Sequence, residues 1–435
     1  MKSLKTALKV LPVIFSSAVL SSTQVSVPEH LTPVWTLGNG LSAEQTFEYR
    51  NAYNFMAMQD AGDVGLYAAA HISEFLPTTV VSRGGQVSEL PTSIIPDIAK
   101  VRATTALGDL SVEEMLKDER SRMRAMLVIH KGEIVYEQYP GLRQEDNHLW
   151  ASATKTIVSL LASQLVEEGK LDLTKSASEY LNPLDGTVWD DVKIEDILNQ
   201  HSGLDINERS VGVPGHPITD FYRIATGDDS LPEGSAFLGQ VIRAEKLREP
   251  GTMFEYSSIN TFVLGEIIET ITQTPLQDLI SDRVWKKAGM EGDALLGLSM
   301  SGEPAAFGIF ASRLSDLGRY AMLYTPSWNK VANEQIVPDR YFESVYKASN
   351  TETFIGVDYM GQRMVNNFGT DCIGAAYQWD AVFCDGDLYK SGRTGQAIYV
   401  SPETDTVVVW FSSSYKNKIW LEGYAREIVQ QVFRK

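Results

Sequence analysis

Two strand hairpins, far apart in the chain, constrain its fold more than any other feature. Met126-Leu-Val-Ile-His130 and Glu133-Ile-Val-Tyr-Glu-Gln-Tyr139 are apolar, β-branched runs on either side of Lys131-Gly132, and they read as one hairpin. Gln396-Ala-Ile-Tyr-Val-Ser401 and Thr406-Val-Val-Val-Trp-Phe-Ser412 flank a Pro-Glu-Thr-Asp turn and read as a second. An isolated hairpin is marginal in water because it cannot bury its apolar faces. The simplest solution is one antiparallel sheet built from N- and C-terminal parts of the chain, with the helical sequence between them inserted. The class expected is therefore α+β.

The intervening sequence fits. From Leu171 to about Met290 it alternates helix and loop, with helical patterns at Ile194 to Asn199, Phe237 to Ala244, Thr261 to Thr272 and Leu276 to Ala288. A long segment from Leu204 to Leu231, containing Gly, Pro and Asp, is the candidate for a loop covering a substrate. Phe307 to Ala311 reads as strand, Ser315 to Leu323 as helix, and Ile419 to Phe433 as an amphipathic closing helix. Residues 24–118 read as an N-terminal extension packing on a main body of 119–435, whose helical insert spans about 171–290. The extension holds the strand-like Thr78-Thr-Val-Val-Ser82, a short helix is expected over Asp109 to Arg124, and no chemistry is legible here.

Chemistry concentrates after the first hairpin. Trp150-Ala-Ser152-Ala-Thr-Lys155 runs into a helical pattern with Ile157, Leu160, Leu161 and Val166 on its apolar side and Gly169 at a C-cap position. Ser152 and Lys155 are three residues apart at the N-terminal end, so both project from one face. A serine hydroxyl is a poor nucleophile until a neighbour takes its proton, which an amine can do. The helix N-terminus adds partial positive charge and free N–H groups that favour an anionic intermediate. Alone, the pair is better read as an N-cap serine followed by a solvated lysine.

Two later elements change that balance. Pro250-Gly251-Thr-Met-Phe-Glu-Tyr256-Ser257-Ser258 places a tyrosine on a loop ahead of an apolar helix. With a reference pKa of ~10, such a tyrosine acts as a base only where neighbouring cations, here Lys155, stabilise its phenolate. Lys390-Ser391-Gly392-Arg393-Thr394-Gly395-Gln396 is a Gly-flanked turn entering a strand, and its backbone can supply an N–H opposite that of Ser152, completing an oxyanion hole.

Other function classes are disfavoured. A net charge of −18 spread along the chain opposes binding to nucleic acid. His30, His71, His130, His148, His201 and His216 show no metal-ligand spacing, and Asp385-Gly-Asp387 reads as a turn rather than a cation site. No cofactor or metal is implied. No Gly-x-Ser-x-Gly elbow occurs, which argues against an α/β-hydrolase. Met1 to Leu20 carries three lysines and then a short apolar run, the pattern of a signal peptide over residues 1–23, with a short membrane anchor as the alternative. The protein is thus expected to be periplasmic or secreted, without stable membrane insertion after cleavage. Cys372 and Cys384, the only cysteines, are either one structural disulfide or two buried thiols.

Taken together, the chain from about Leu127 to its C-terminus resembles the serine β-lactamase-like superfamily, in its esterase and 6-aminohexanoate-dimer hydrolase branch near the class C β-lactamases. The resemblance rests on the hairpin, Ser152-x-x-Lys155, Gly169-Lys-Leu-Asp-Leu173, Ile197-Leu-Asn-Gln-His-Ser-Gly-Leu204, Pro250-Gly251 through Ser258, Leu264-Gly-Glu-Ile-Ile268, Ala288-Gly-Met290 and Gly395-Gln396-Ala-Ile-Tyr-Val. It implies a three-layer αβα fold of the β-lactamase/transpeptidase type. It also implies a serine hydrolase, of carboxylesterase or amidase type, that cleaves small ester or linear amide substrates through an acyl-enzyme. In that scheme Ser152 is the nucleophile, Lys155 its activator and Tyr256 the general base that later protonates the leaving group. The Ser152 N–H is half of the oxyanion hole.

For the other half, Lys390-Ser391-Gly392 mimics a β-lactamase Lys-Thr-Gly, whereas Gly392-Arg-Thr-Gly-Gln396 looks like the aminohexanoate-hydrolase turn. The latter is favoured, with Arg393 donating the N–H, Gly392 and Ser258 among the substrate-binding residues, and Lys390 badly placed. Glu195-Asp-Ile-Leu-Asn199 resembles the class A deacylation motif but lies on the wrong side of Tyr256, and reads as an exposed helix. A β-lactamase or D,D-peptidase is the enzymatic alternative, weakened by Ser258 where those enzymes carry Asn. A non-catalytic binding scaffold is the alternative of another class.

Overall fold

The computed structural model describes residues 28, 31–228, 230–232, 234–355 and 359–434. The leader expected over 1–23 lies outside the described residues. No helix among those described is long and apolar enough to cross a membrane.

Seven strands form the main sheet: β1 (Met123–His130), β2 (Glu133–Gln138), β3 (Ile373–Ala376), β4 (Trp379–Phe383), β5 (Leu388–Ser391), β6 (Ala397–Ser401) and β7 (Thr406–Ser412). Their order is β2-β1-β7-β6-β5-β4-β3, and every pairing is antiparallel. The two hairpins meet at the β1–β7 seam, where Val128 faces Val408 and Met126 faces Trp410. The sheet is therefore built from both ends of the chain, and the helical sequence lies between.

Strand alternation sorts the layers. Leu127 and Ile129 enter one apolar core, Met126 and Val128 another. The first is covered by α3 (Lys155–Glu167), α5 (Ser258–Thr272) and α6 (Leu314–Met322) through Ile157, Leu264 and Leu317. The second is covered by α7 (Glu422–Ile428) through Tyr424, Ala425 and Ile428. The result is an α+β fold with helices on both faces of an antiparallel sheet. Contact is close: a Cβ on Gly318 of α6 would lie 2.7 Å from Leu127 Cδ2.

A second, four-stranded sheet was only half legible in the sequence: the strand-like runs at 78–82 and 307–311 supply two of its strands, and the other two were not read. Its strands are Thr78–Val81, Ala294–Gly297, Phe310–Ser312 and His148–Leu149, in that order across the sheet. Ala294-Leu-Leu-Gly297 is a short apolar run without alternation, which periodicity cannot assign. The long Leu204 to Leu231 segment also holds an unforeseen helix, α4 (Pro217–Ala225). The helix sought within Asp109 to Arg124 is only Val112–Lys117, capped by Ser111 and Glu114.

Two short helices of the N-terminal segment, α1 (Phe55–Asp60) and α2 (Asp63–Ala68), pack beside the nucleophile region. The buried Arg124 guanidinium donates to Leu66 O at 2.7 Å and to Gly141 O at 3.3 Å. Cys372 and Cys384 are joined, with Cα atoms 5.6 Å apart, across the β3–β4 hairpin. Asp385 and Asp387 occupy the β4–β5 turn and are paired with Arg426 and Arg434. Among the described residues no group of three or more His, Cys, Asp or Glu is arranged to hold a metal.

Candidate active site

Ser152 does not lie in an α-helix. It belongs to a 3₁₀ turn, Ala151–Thr154, and α3 begins at Lys155. Residues i and i+3 eclipse in a 3₁₀ turn, so the two side chains stand one above the other. The turn is held from both sides: Trp150 N–H donates to Phe310 O at 2.7 Å and its indole to Ser312 Oγ at 2.9 Å. Leu149 N–H donates to Ala69 O at 2.7 Å. Ala151 sits at φ 48°, a left-handed conformation unfavourable for alanine and stored immediately before the serine.

The Lys155 amine is fully buried and makes three contacts: Ser152 Oγ at 3.2 Å, Ser258 Oγ at 2.8 Å and Phe307 O at 2.6 Å. Burial pulls its pKa down from 10.5 to about 7; Lys390 lowers it further, while Glu208 and Asp380 oppose. An amine at that value is available as a base near neutrality.

Tyr256 flanks the same amine, its ring centroid 5.2 Å from Lys155 Nζ. Its loop is anchored by a buried amide ladder. Gln200 Oε1 accepts from Ser257 N–H at 3.0 Å and Asn260 Nδ2 at 2.9 Å, and Gln200 Nε2 donates to Gln378 Oε1 at 2.8 Å. The expectation that cations draw the phenol down is not met. Burial first, then Asp380 and Glu208, push Tyr256 well above its ordinary value, so the phenol keeps its proton.

Lys390 is a correction to the sequence reading. Far from being badly placed, it lies on β5 with Nζ 3.0 Å from Tyr256 Oη and 2.5 Å from Asp380 Oδ1. Asp380 Oδ2 also accepts from Ser391 N–H at 2.9 Å. Strand periodicity explains the misreading: both motif forms occupy one hairpin, Lys390 and Ser391 ending β5 and residues 392–396 forming the turn into β6. Neither Asp380 nor Tyr222 carries a motif signal, and only the sheet register brings Asp380 in.

Gly392 presses that turn against the nucleophile. A Cβ there would stand 2.4 Å from Trp150 O and 3.3 Å from Ser152 N. Arg393, the expected second N–H donor, follows directly and shares a cleft with Ser152. Ser258, expected among the substrate-binding residues, sits behind Lys155 rather than on the cleft surface. It is fully buried, does not line the cleft, and its hydroxyl is occupied by Lys155, Tyr222 and Glu208. Glu195 stays outside the site, on the helix Ile194–Leu198, 3.3 Å from Lys193.

The cleft encloses about 620 Å³, its open mouth included, and is mainly apolar. One wall comes from Met58, Ala61 and Ala69 of the N-terminal segment, in which the sequence showed no chemistry. Tyr222 and Ala225 of α4 form another, so part of the expected covering segment does reach the site. Phe307 and Ile309 also line the cleft, and Arg393 Nε donates to Gln59 O at 3.3 Å.

Comparison with known proteins finds matches in both sequence and fold. The beta-lactamase family model matches residues 111–423. A 6-aminohexanoate-dimer hydrolase of Paenarthrobacter ureafaciens is 26% identical over 358 residues, 80% of this chain and 85% of that protein. A solved structure described as "Putative 6-aminohexanoate-dimer hydrolase from Bacillus anthracis" superposes with a TM-score of 0.70 at 21% identity, covering 88% of this chain and 97% of the other. Another, "EstCE1, a hydrolase with promiscuous acyltransferase activity", gives 0.55 at 17% identity over 74% and 97% of the two chains.

Proposed function

Because the chain belongs to the beta-lactamase family, we propose that it is a serine hydrolase cleaving ester or linear amide bonds through an acyl-enzyme. The observation that carries this reading is the buried Lys155 amine, brought down to about 7 and 3.2 Å from Ser152 Oγ. Ser152 Oγ attacks the carbonyl carbon while its proton passes to Lys155. The N–H groups of Ser152 and Arg393 receive the oxyanion. When the carbon–heteroatom bond breaks, the leaving alkoxide or amine takes a proton from Tyr256, which recovers one from Lys155. Water then repeats the sequence on the acyl-enzyme. In this scheme Lys155, not Tyr256, is the base, and Tyr256 carries the proton between amine and leaving group under the influence of Lys390.

Ester and linear amide substrates are supported by the apolar cleft beside Ser152 and by the relative that acts on the 6-aminohexanoate dimer. Lys390 beside Tyr256 supports a second reading, a β-lactam or D,D-peptide substrate, for which nitrocefin is the probe. Export through the N-terminal leader belongs to the same proposal and is supported by the Cys372–Cys384 bridge, which persists in oxidising compartments.

The test is hydrolysis of p-nitrophenyl butyrate by wild-type protein and Ser152→Ala, with a fluorophosphonate probe alongside. Hydrolysis and labelling that both vanish in the variant support the reading. A folded wild-type protein that takes up no probe and turns over neither ester, anilide nor nitrocefin would instead make it a binding scaffold.

A further inference from the structure

Glu208 belongs to no motif of the site, yet its carboxyl group reaches the centre of it. The residue opens a 3₁₀ turn, Glu208–Ser210, and its N–H donates to Tyr256 O at 3.1 Å. Oε1 accepts the Ser258 hydroxyl at 2.6 Å, and Tyr222 Oη lies 2.9 Å from the same Ser258 oxygen. Burial first, and then Glu208, push the Tyr222 phenol well above its ordinary value. Ser258 Oγ in turn is 2.8 Å from Lys155 Nζ.

A serine hydroxyl has one proton to give and two lone pairs. With Glu208 taking that proton, Ser258 can only accept from Lys155. The Phe307 carbonyl, 2.6 Å from the amine, can also only accept. A neutral amine has two N–H bonds and one lone pair. Its protons are therefore committed to Ser258 and Phe307, and its lone pair is left for the third neighbour, Ser152 Oγ.

Resting on the serine-hydrolase reading, we propose that Glu208 is a positioning residue: by drawing the Ser258 proton away from Lys155, it aims the lone pair of that amine at Ser152. It is not a catalytic residue, because it touches neither Ser152 nor the cleft.

The charged and titratable groups facing Lys155 come from several elements. Lys390 of β5 lowers it; Asp380 of β4 and Glu208 raise it; Tyr256 and Tyr222 are phenols pushed up by burial, and Arg393 acts on Tyr222. Since Glu208 raises Lys155, removing its charge lets the amine lose its proton at lower pH.

The experiment measures the rate at which a fluorophosphonate forms the Ser152 Oγ–phosphorus bond and releases fluoride, across about pH 5 to 10. In Glu208→Gln the carboxamide can donate to Ser258, freeing the Ser258 proton for Lys155. The plateau rate is expected to fall about tenfold or more. The acid limb is expected to move to lower pH. Glu208→Asp, which keeps the acceptor and the charge, should hold the limb and recover most of the plateau.

A merely structural defect would lower the plateau and leave the limb in place. Ser258→Ala removes the relay itself and serves should Glu208→Gln not fold; its plateau should fall by a similar factor. A plateau within about twofold of wild type in both variants overturns the inference. So does an unmoved limb in a folded Glu208→Gln protein, or a Glu208→Asp protein no better than it. Wild-type protein left unlabelled at every pH overturns the serine-hydrolase reading instead.

Discussion

Lys390 donates to Tyr256 Oη across 3.0 Å while both side chains are buried, and Asp380 is the counter-ion that makes this arrangement tenable. Lys390 and Asp380 are each 1% exposed. Removing one member of such a pair leaves an uncompensated buried charge, at a cost of about 3–5 kcal/mol. Asp380→Asn should lower unfolding stability by that order in urea titration. An unchanged midpoint would mean that Lys390 is held neutral without its partner.

Activity should follow the protonation of Lys155. The amine is the base form above its value of about 7, so kcat/KM is expected to rise through that pH and level off on the alkaline side. The check is a pH–rate profile with a neutral ester, corrected for background hydrolysis. A profile flat from about pH 6 to 9 would remove Lys155 from the role of base.

Gly392→Ala tests the close approach of the oxyanion turn. The new Cβ would meet Trp150 O at 2.4 Å, and a backbone oxygen cannot swing aside as a side chain can. The turn must retreat from Ser152, with an expected loss of about 1–3 kcal/mol in stability. The expected loss in kcat is about 10²-fold, the scale of losing one oxyanion donor. Thermal unfolding and steady-state kinetics read the two effects separately.

The cleft wall should set substrate length. Ala225 lines the cleft from α4 and is 3% exposed, so Ala225→Phe would fill part of that space. Across p-nitrophenyl esters from acetate to decanoate, kcat/KM for the longer members should fall about tenfold or more against acetate. A uniform loss across the series would show that the group varied does not lie in this cleft.

Much of this protein is legible in its residues. The 126–139 and 396–412 hairpins show their alternation and turns locally, so a sheet drawn from distant parts of the chain follows from the need to bury both. Ser152, Lys155 and Tyr256 are legible only in combination: each local signal is weak, and it is the ordered set of motifs resembling a known superfamily that singles them out. Lys390 was misjudged because two motif forms share one hairpin, and only the register of β5 against β4 shows which side chain meets Tyr256. The strand at Ala294–Gly297 is too short to display a period.

Sequence alone thus determined the fold class, from the local patterns of the two hairpins, and the three residues drawn together at the candidate site, from the ordered set of motifs that resembles the serine β-lactamase-like superfamily. Tertiary structure alone decided the protonation logic. Whether Lys155 is a base, whether Tyr256 keeps its proton and where the Ser258 hydroxyl points depend on burial and on Glu208, Asp380 and Lys390, groups far apart in sequence. Desolvation and Coulomb energy are functions of distance in space, and no local pattern encodes them.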